Sequence, residues 1–172
     1  FLTVIFPHDQ IQILAYNRVV RDLNRLDAAQ FLSQLDDVFD MVENQNGECA
    51  AKNELGLYLD GKWRRLVFKA ENMESKTAAD GLDVALLQHH VLGSILRSND
   101  PRTSDRIDCI GGIRGVSELE RLVDSGEYAC AFSLFPTRIE DLMEIADANG
   151  LMPPKSTWFE PKLRDGMFCH MI

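Results

Sequence analysis

Long apolar runs are missing from this 172-residue chain. None approaches the ~18 residues of a membrane-spanning helix, and no secretory leader pattern is visible. A membrane is therefore not an expected partner. A basic excess is missing too: 27 Asp and Glu outweigh 18 Lys and Arg, giving a formal charge of −9 and a pI near 4.9. Nonspecific binding to nucleic acid or anionic lipid needs a basic field, so neither is expected, although a local basic pocket stays open. Cysteine is scarce. Cys49, Cys109, Cys130 and Cys169 form no CxxC pair, and the last three sit in the apolar runs "RIDCIG", "YACAFSLF" and "MFCHMI". Reduced cysteine there behaves as a small hydrophobe. No disulfide framework and no zinc or other metal site is expected, and the compartment reads as reducing and cytoplasmic. The chain also opens without Met, directly on "FLTVIF", which reads as a cut through a longer protein, entering at a strand.

What is present is ordinary globular material, 45% hydrophobic and 26% charged, enough to bury one core. Residues 1–172 read as a single domain. "FLTVIF" and "IQILAYNRVV", joined by "PHDQ", suggest a hairpin over residues 1–20. Asp27 caps a helix, "AAQFLSQLDDVF", with Phe31, Leu32, Leu35, Val38 and Phe39 on one face. "LGLYLDGKWRRLVFK" is a hairpin signal turning at Asp60-Gly61. A helix follows in "LDVALLQHHVLGSIL", and "RSNDP" stops it. The last third alternates strand and helix. "RIDCIGG", "YACAFSLF" and "GMFCHMI" are the strands; "SELERLVDSG" and "TRIEDLMEIADANG" are helices whose Ser117/Glu120 and Thr137/Glu140 fit capping boxes. The fold expected is α/β or α+β, a mixed sheet with an N-terminal hairpin, a central Asp-Gly hairpin and some parallel pairing at the crossovers.

Three stretches carry chemistry-bearing residues. "MPPKSTWFEPKL", residues 152–163, sets two lysines, two hydroxyls and two aromatics among three prolines. Proline fixes its own φ and restricts its predecessor, so little entropy is left to lose on binding. Lys155 and Lys162 can then meet an anion, with Ser156 and Thr157 as donors and Trp158 or Phe159 as a stacking face. The plainer reading is a rigid crossover with its lysines in water. In "IGGIRGVSELE", Gly111, Gly112 and Gly115 lie at a strand-to-helix junction beside Arg114. Such a junction suits an anion, and a tight turn explains the glycines equally well. Asn17 and Arg18 end a strand in "AYNRVVRDLN", where polar residues line a cleft or form a local turn network. His89 and His90 are adjacent on a helix and cannot face one ligand together. These readings combine into one expectation: the prolines hold Lys155, Ser156 and Thr157 toward an anion-binding cleft shared with Gly111 and Arg114.

The blocks "ILAYNRVVRDLN", "LGLYLDGKW", "LDVALLQ", "DRIDCIGGIRG" and "MPPKSTWFEPKLRDG", in this order, resemble the carboxy-terminal half of the domain-of-unknown-function-1015 family. Its members are bacterial and archaeal cytosolic proteins of roughly twice this length or more. The matching positions include Asn17, Arg18, Gly111, Gly112, Arg114, Pro153 through Thr157, and Lys162. Fuller members carry upstream an Asp-Gly-His-His-Arg motif similar to motifs of ParB and sulfiredoxin-like nucleotide-binding proteins, a group that includes kinases acting on free serine. That motif is absent from this sequence. The resemblance implies a C-terminal fragment, with the missing N-terminal domain as its partner.

Two functions follow as expectations. In one, the chain is an uncharacterised, noncatalytic C-terminal module with an anion- or phosphate-binding cleft, packing on the missing domain or forming a homodimer. In the other, it is part of an ATP-dependent kinase of a small molecule such as a free amino acid, with ATP and Mg as cofactors of the full-length protein. Whether the chain is an enzyme stays open at this point, and no residue is assigned a catalytic role.

Overall fold

The computed structural model describes residues 5, 7–43, 46–98 and 104–162. Its elements are β1 (Gln12–Leu14), β2 (Tyr16–Val20), α1 (Ala28–Leu35), β3 (Phe39–Glu43), β4 (Glu54–Leu59), β5 (Lys62–Phe68), α2 (Asp83–Leu87), β6 (Ile107–Gly111), α3 (Gly115–Asp124), β7 (Cys130–Leu134), α4 (Ile139–Asp147) and β8 (Trp158–Glu160). Six strands form one sheet in the order β3-β5-β4-β7-β2-β6, while β1 and β8 pair by themselves. This is the expected α/β mixture. Of the expected N-terminal hairpin, the second stretch, "IQILAYNRVV", divides between β1, which pairs β8, and β2, which pairs β6 and β7. The hairpin's proposed first strand, like the closing strand "GMFCHMI", lies outside the described residues.

Every neighbouring pair among the described strands is antiparallel. The β6–α3–β7 crossover does return a strand parallel to its first. β2, however, is inserted between them and pairs both, so the parallel relation is between second neighbours. A crossover constrains direction, not adjacency, and the pattern of the local sequence cannot show an insertion from 90 residues away.

Alternation along the strands loads both faces of the sheet. Val20, Leu55, Leu57, Leu66 and Phe132 meet Phe31 and Leu35 of α1, Leu86 and Leu87 of α2 and Ile145 of α4. Val19, Tyr58, Trp63 and Ala131 meet Leu119 and Leu122 of α3. Phe132 is fully buried in the main cluster, where truncation to Ala costs about 3–5 kcal/mol. The β4–β5 hairpin turns at Asp60-Gly61 as read, with both residues at positive φ (52° and 71°), the signature of a type I′ turn.

Helix boundaries follow side-chain chemistry. Asp27 caps α1 in a reciprocal box with Gln30: the Gln30 N–H donates to Asp27 Oδ1 at 2.8 Å, and the Asp27 N–H to Gln30 Oε1 at 3.1 Å. α1 stops at Leu35, and Phe39 begins β3 instead of ending the helix. α2 runs directly into a π-helical turn, Gln88–Gly93. Within it His89 is exposed, while half-buried His90 lies with its ring 6.4 Å from that of Phe68. The two capping boxes are corrected. α3 starts at Gly115, which leaves Ser117 inside its first turn, and Glu120 accepts the Trp63 indole N–H at 2.7 Å. At α4 the acceptor is Asp141, which takes the Arg138 backbone N–H at 3.2 Å. Thr137 instead donates its hydroxyl to the Ser156 carbonyl at 2.9 Å. No helix among the described residues is long and apolar enough to cross a membrane.

Candidate functional site

Tyr16, Arg18 and Val20 share one face of β2, because alternate residues on a strand point the same way. Val20 belongs to the core there. Arg18, two residues earlier, is 1% exposed, a rare state for arginine. Its Nη1 donates to the Tyr16 carbonyl at 2.6 Å and the Asn17 carbonyl at 3.3 Å, and its Nη2 to the Lys155 carbonyl at 2.9 Å. None of these acceptors carries a full charge, and no carboxylate among the described residues pairs with Arg18. Burial pulls its pKa below the ordinary arginine value, yet a guanidinium remains a cation at any physiological pH. A charge removed from water normally demands a counter-charge. Here the cation lines the wall of a cleft of about 890 Å³.

That cleft lies between α2 with its π turn and the proline-rich loop. Val84, Ala85, His89, Gly93 and Ser94 line one side, Ala79 and Asp80 a second, and Leu151 through Pro154 a third. π-helical turns recur at functional sites because the wider turn re-aims side chains. The loop is held by fitted contacts. Lys155 sits at φ +55°, a left-handed conformation that a non-glycine residue adopts at some cost, and its carbonyl is thereby seated on Arg18. Its Nζ lies 5.8 Å from the Tyr16 ring centroid. The Trp158 ring meets Tyr16 edge-on at 5.4 Å. It also covers Gly111, where an added Cβ would come within 2.5 Å of the indole. Lys162 stacks on the outer indole surface at 4.0 Å.

Arg18, Gly111, Lys155, Ser156 and Lys162 are thus gathered around Tyr16 and Trp158. Asn17 faces the other way: buried, it offers Oδ1 to the Leu134 N–H at 3.1 Å just where the β2–β7 ladder ends. Gly112 donates its N–H to the Ala15 carbonyl at 2.7 Å, so that amide is occupied within the chain. Arg114 is 63% exposed at the start of α3, 3.5 Å from Glu118. Thr157 is half-buried. Cys109 lies directly across from Arg18 on β6. Burial pushes its thiol pKa up, and the nearby charges of Arg18 and Lys155 oppose that rise.

Sequence reasoning passed over Tyr16 and Asp83. Asp83 begins α2 and reads locally as a favourable first-turn acid. In the fold it is 7% exposed and accepts the Asn53 N–H at 2.9 Å; burial above all pushes its carboxyl up to about 6. Nearby, Asp141 holds Lys52 at 3.0 Å and Arg138 at 2.9 Å. The hydrogen bonds from Arg138 come first among the causes that bring its carboxyl down to about 2.

A six-stranded sheet with helices on both faces makes this an α/β protein, and Arg18 stands in the wall of its cleft. Residues 1–85 match the model of the family described as "Protein of unknown function (DUF1015)", and this stretch of the chain belongs to that family. No curated protein matches the chain. Among solved structures it is similar to a mutant free serine kinase in complex with AMP, at 15% identity and a TM-score of 0.50, over 88% of this chain and 54% of that one. A free serine kinase in complex with AMP has 14% identity and a TM-score of 0.48 over 88% and 54%. A mutant in complex with ADP has 15% and 0.48 over the same shares. The chain spans about half the length of these solved proteins, and the likeness is one of fold.

Proposed function

We propose that the cleft walled by Arg18 binds a small organic anion, a phosphate ester or a carboxylate. The observation that carries this reading is the fully buried guanidinium, bonded among the described residues only to backbone carbonyls and set in the wall of a cleft of about 890 Å³. That volume is within the range of small-molecule sites and far exceeds what inorganic phosphate fills. Lys155 and Lys162 add positive potential at the loop, and Arg114 belongs to a separate pair with Glu118. The test is calorimetric titration of the chain with a phosphate monoester and with AMP, on the native protein and on Arg18→Lys. Binding that the substitution weakens at least tenfold supports the reading; equal binding by both proteins, or none by either, overturns it.

A second reading rests on the fold likeness to a free serine kinase holding AMP. By that analogy, the chain forms part of an ATP-dependent kinase of a small molecule such as a free amino acid. ATP and Mg would bind in the longer protein, and the cleft would steady phosphate charge electrostatically. The longer protein then works in the cytoplasm, with a further domain or a second copy against this one. Mg-ATP titration of the full-length protein, with and without Lys155→Ala, separates the readings: no nucleotide binding removes the kinase and leaves the anion module.

A further inference from the structure

On the other side of Val84 lies a second, much smaller cavity, of about 10 Å³, lined by Tyr16, Lys52, Asp83, Thr137, Asp141 and Ser156 among others. A space of this size holds one water-sized group. Its lining carries polar groups whose bonding capacity is unspent. Ser156 is 7% exposed, and among the described residues neither its hydroxyl nor that of Tyr16 makes a hydrogen bond. Asp83 accepts at Oδ1 from the Asn53 N–H, and its second oxygen has no donor among those residues. We propose that this pocket is a hydroxyl-binding subsite, which seats one hydroxyl of the molecule whose anionic group Arg18 holds. The proposal rests on the anion reading and narrows it to small hydroxyl-bearing anions.

Geometry sets the reach. Tyr16 and Arg18 are alternate residues on one face of β2, about 7 Å apart along the strand, and Lys155 and Ser156 are consecutive on the loop opposite. Val84 lines both cavities. A ligand of four or five bonds between anion and hydroxyl spans that separation. Charge selects a hydroxyl over an ammonium. Lys52 and Arg138 both pair with Asp141, so two cations stand against the two carboxylates, the pocket is close to neutral and Lys52 already supplies its ammonium. A hydroxyl donates to the Asp83 carboxylate while accepting from the Ser156 or Tyr16 hydroxyl. The raised pKa of Asp83 fits a carboxylate that lacks such a donor.

The test uses three phosphates of matched charge at the anionic end: glycerol 3-phosphate, propyl phosphate and 3-aminopropyl phosphate. Calorimetry on the native chain is expected to give about tenfold tighter binding of glycerol 3-phosphate than of propyl phosphate, the worth of one hydrogen bond to a charged acceptor. In Ser156→Ala and in Asp83→Asn that ratio is expected to fall toward one. A circular dichroism spectrum checks each variant's fold, and either variant alone suffices. Equal affinity for the first two ligands in the native chain overturns the subsite and leaves the anion cleft standing. A persistent ratio in a folded variant also overturns it, and so does tightest binding of the amine. Failure of all three ligands to bind overturns the anion reading and the subsite with it.

Discussion

A residue's meaning here depends on what its neighbours leave unsatisfied. Arg18 and Arg114 are both strand-end arginines in the sequence, but one is buried under the proline loop and the other lies in water beside Glu118. Replacing Arg18 with Met should remove anion binding. It should also cost about 2–4 kcal/mol in urea denaturation, because the carbonyls of Tyr16, Asn17 and Lys155 lose their donor while buried. Asp83 gives a prediction in pH. Its carboxyl is raised from the ordinary 3.8 to about 6, so the folded state holds the proton more tightly than the unfolded chain does. Stability from this group is full below about pH 4 and is lost as pH rises through about 6, by roughly 2–3 kcal/mol for two units. Asp141, lowered to about 2, acts in the opposite sense: its contribution is present above about pH 4 and lost as pH falls toward 2. Urea denaturation across pH 4–7 should show the Asp83 slope in the native chain and not in Asp83→Asn.

At the scale of elements, the proline-rich loop is a docked segment. β8 pairs β1, Trp158 covers Gly111, and Arg18 holds the Lys155 carbonyl. Gly111→Ala places a methyl inside the indole's space and should lift the loop from β6. The expected readout is a red shift of Trp fluorescence together with a loss of anion affinity; unchanged emission would show that the contact tolerates a methyl. The turn at Gly61 provides a contrast. Nothing lies within 4 Å of a Cβ there, so Gly61→Ala should cost only the left-handed backbone penalty, about 1 kcal/mol by denaturation.

For the whole molecule, a ligand that binds only the folded chain raises its stability by mass action. A phosphate monoester at a hundred times its Kd should add about 2.7 kcal/mol to unfolding, visible as a shift of the thermal midpoint that Arg18→Lys largely removes. Net charge acts at the same scale. An acidic chain whose anion site is built on a buried cation discriminates by enclosure rather than by long-range attraction, so added salt should weaken the binding only modestly.

What could be read from the chain is what is local. The Asp27 cap, the Asp60-Gly61 turn and the stiffness of the proline loop all depend on backbone geometry set within a few residues. The strand nature of β4, β5 and β7 and the α/β alternation were legible for the same reason. Adjacency came from the fold. It inserted β2 between β6 and β7, made β3 out of a stretch that continues the α1 pattern, and paired β1 with β8. Those choices put Arg18 under Lys155, Ser156 beside Asp83 and Trp158 on Gly111, and left Arg114 outside. Burial and unmet hydrogen bonds are properties of such long-range contacts, which no spacing in the chain encodes.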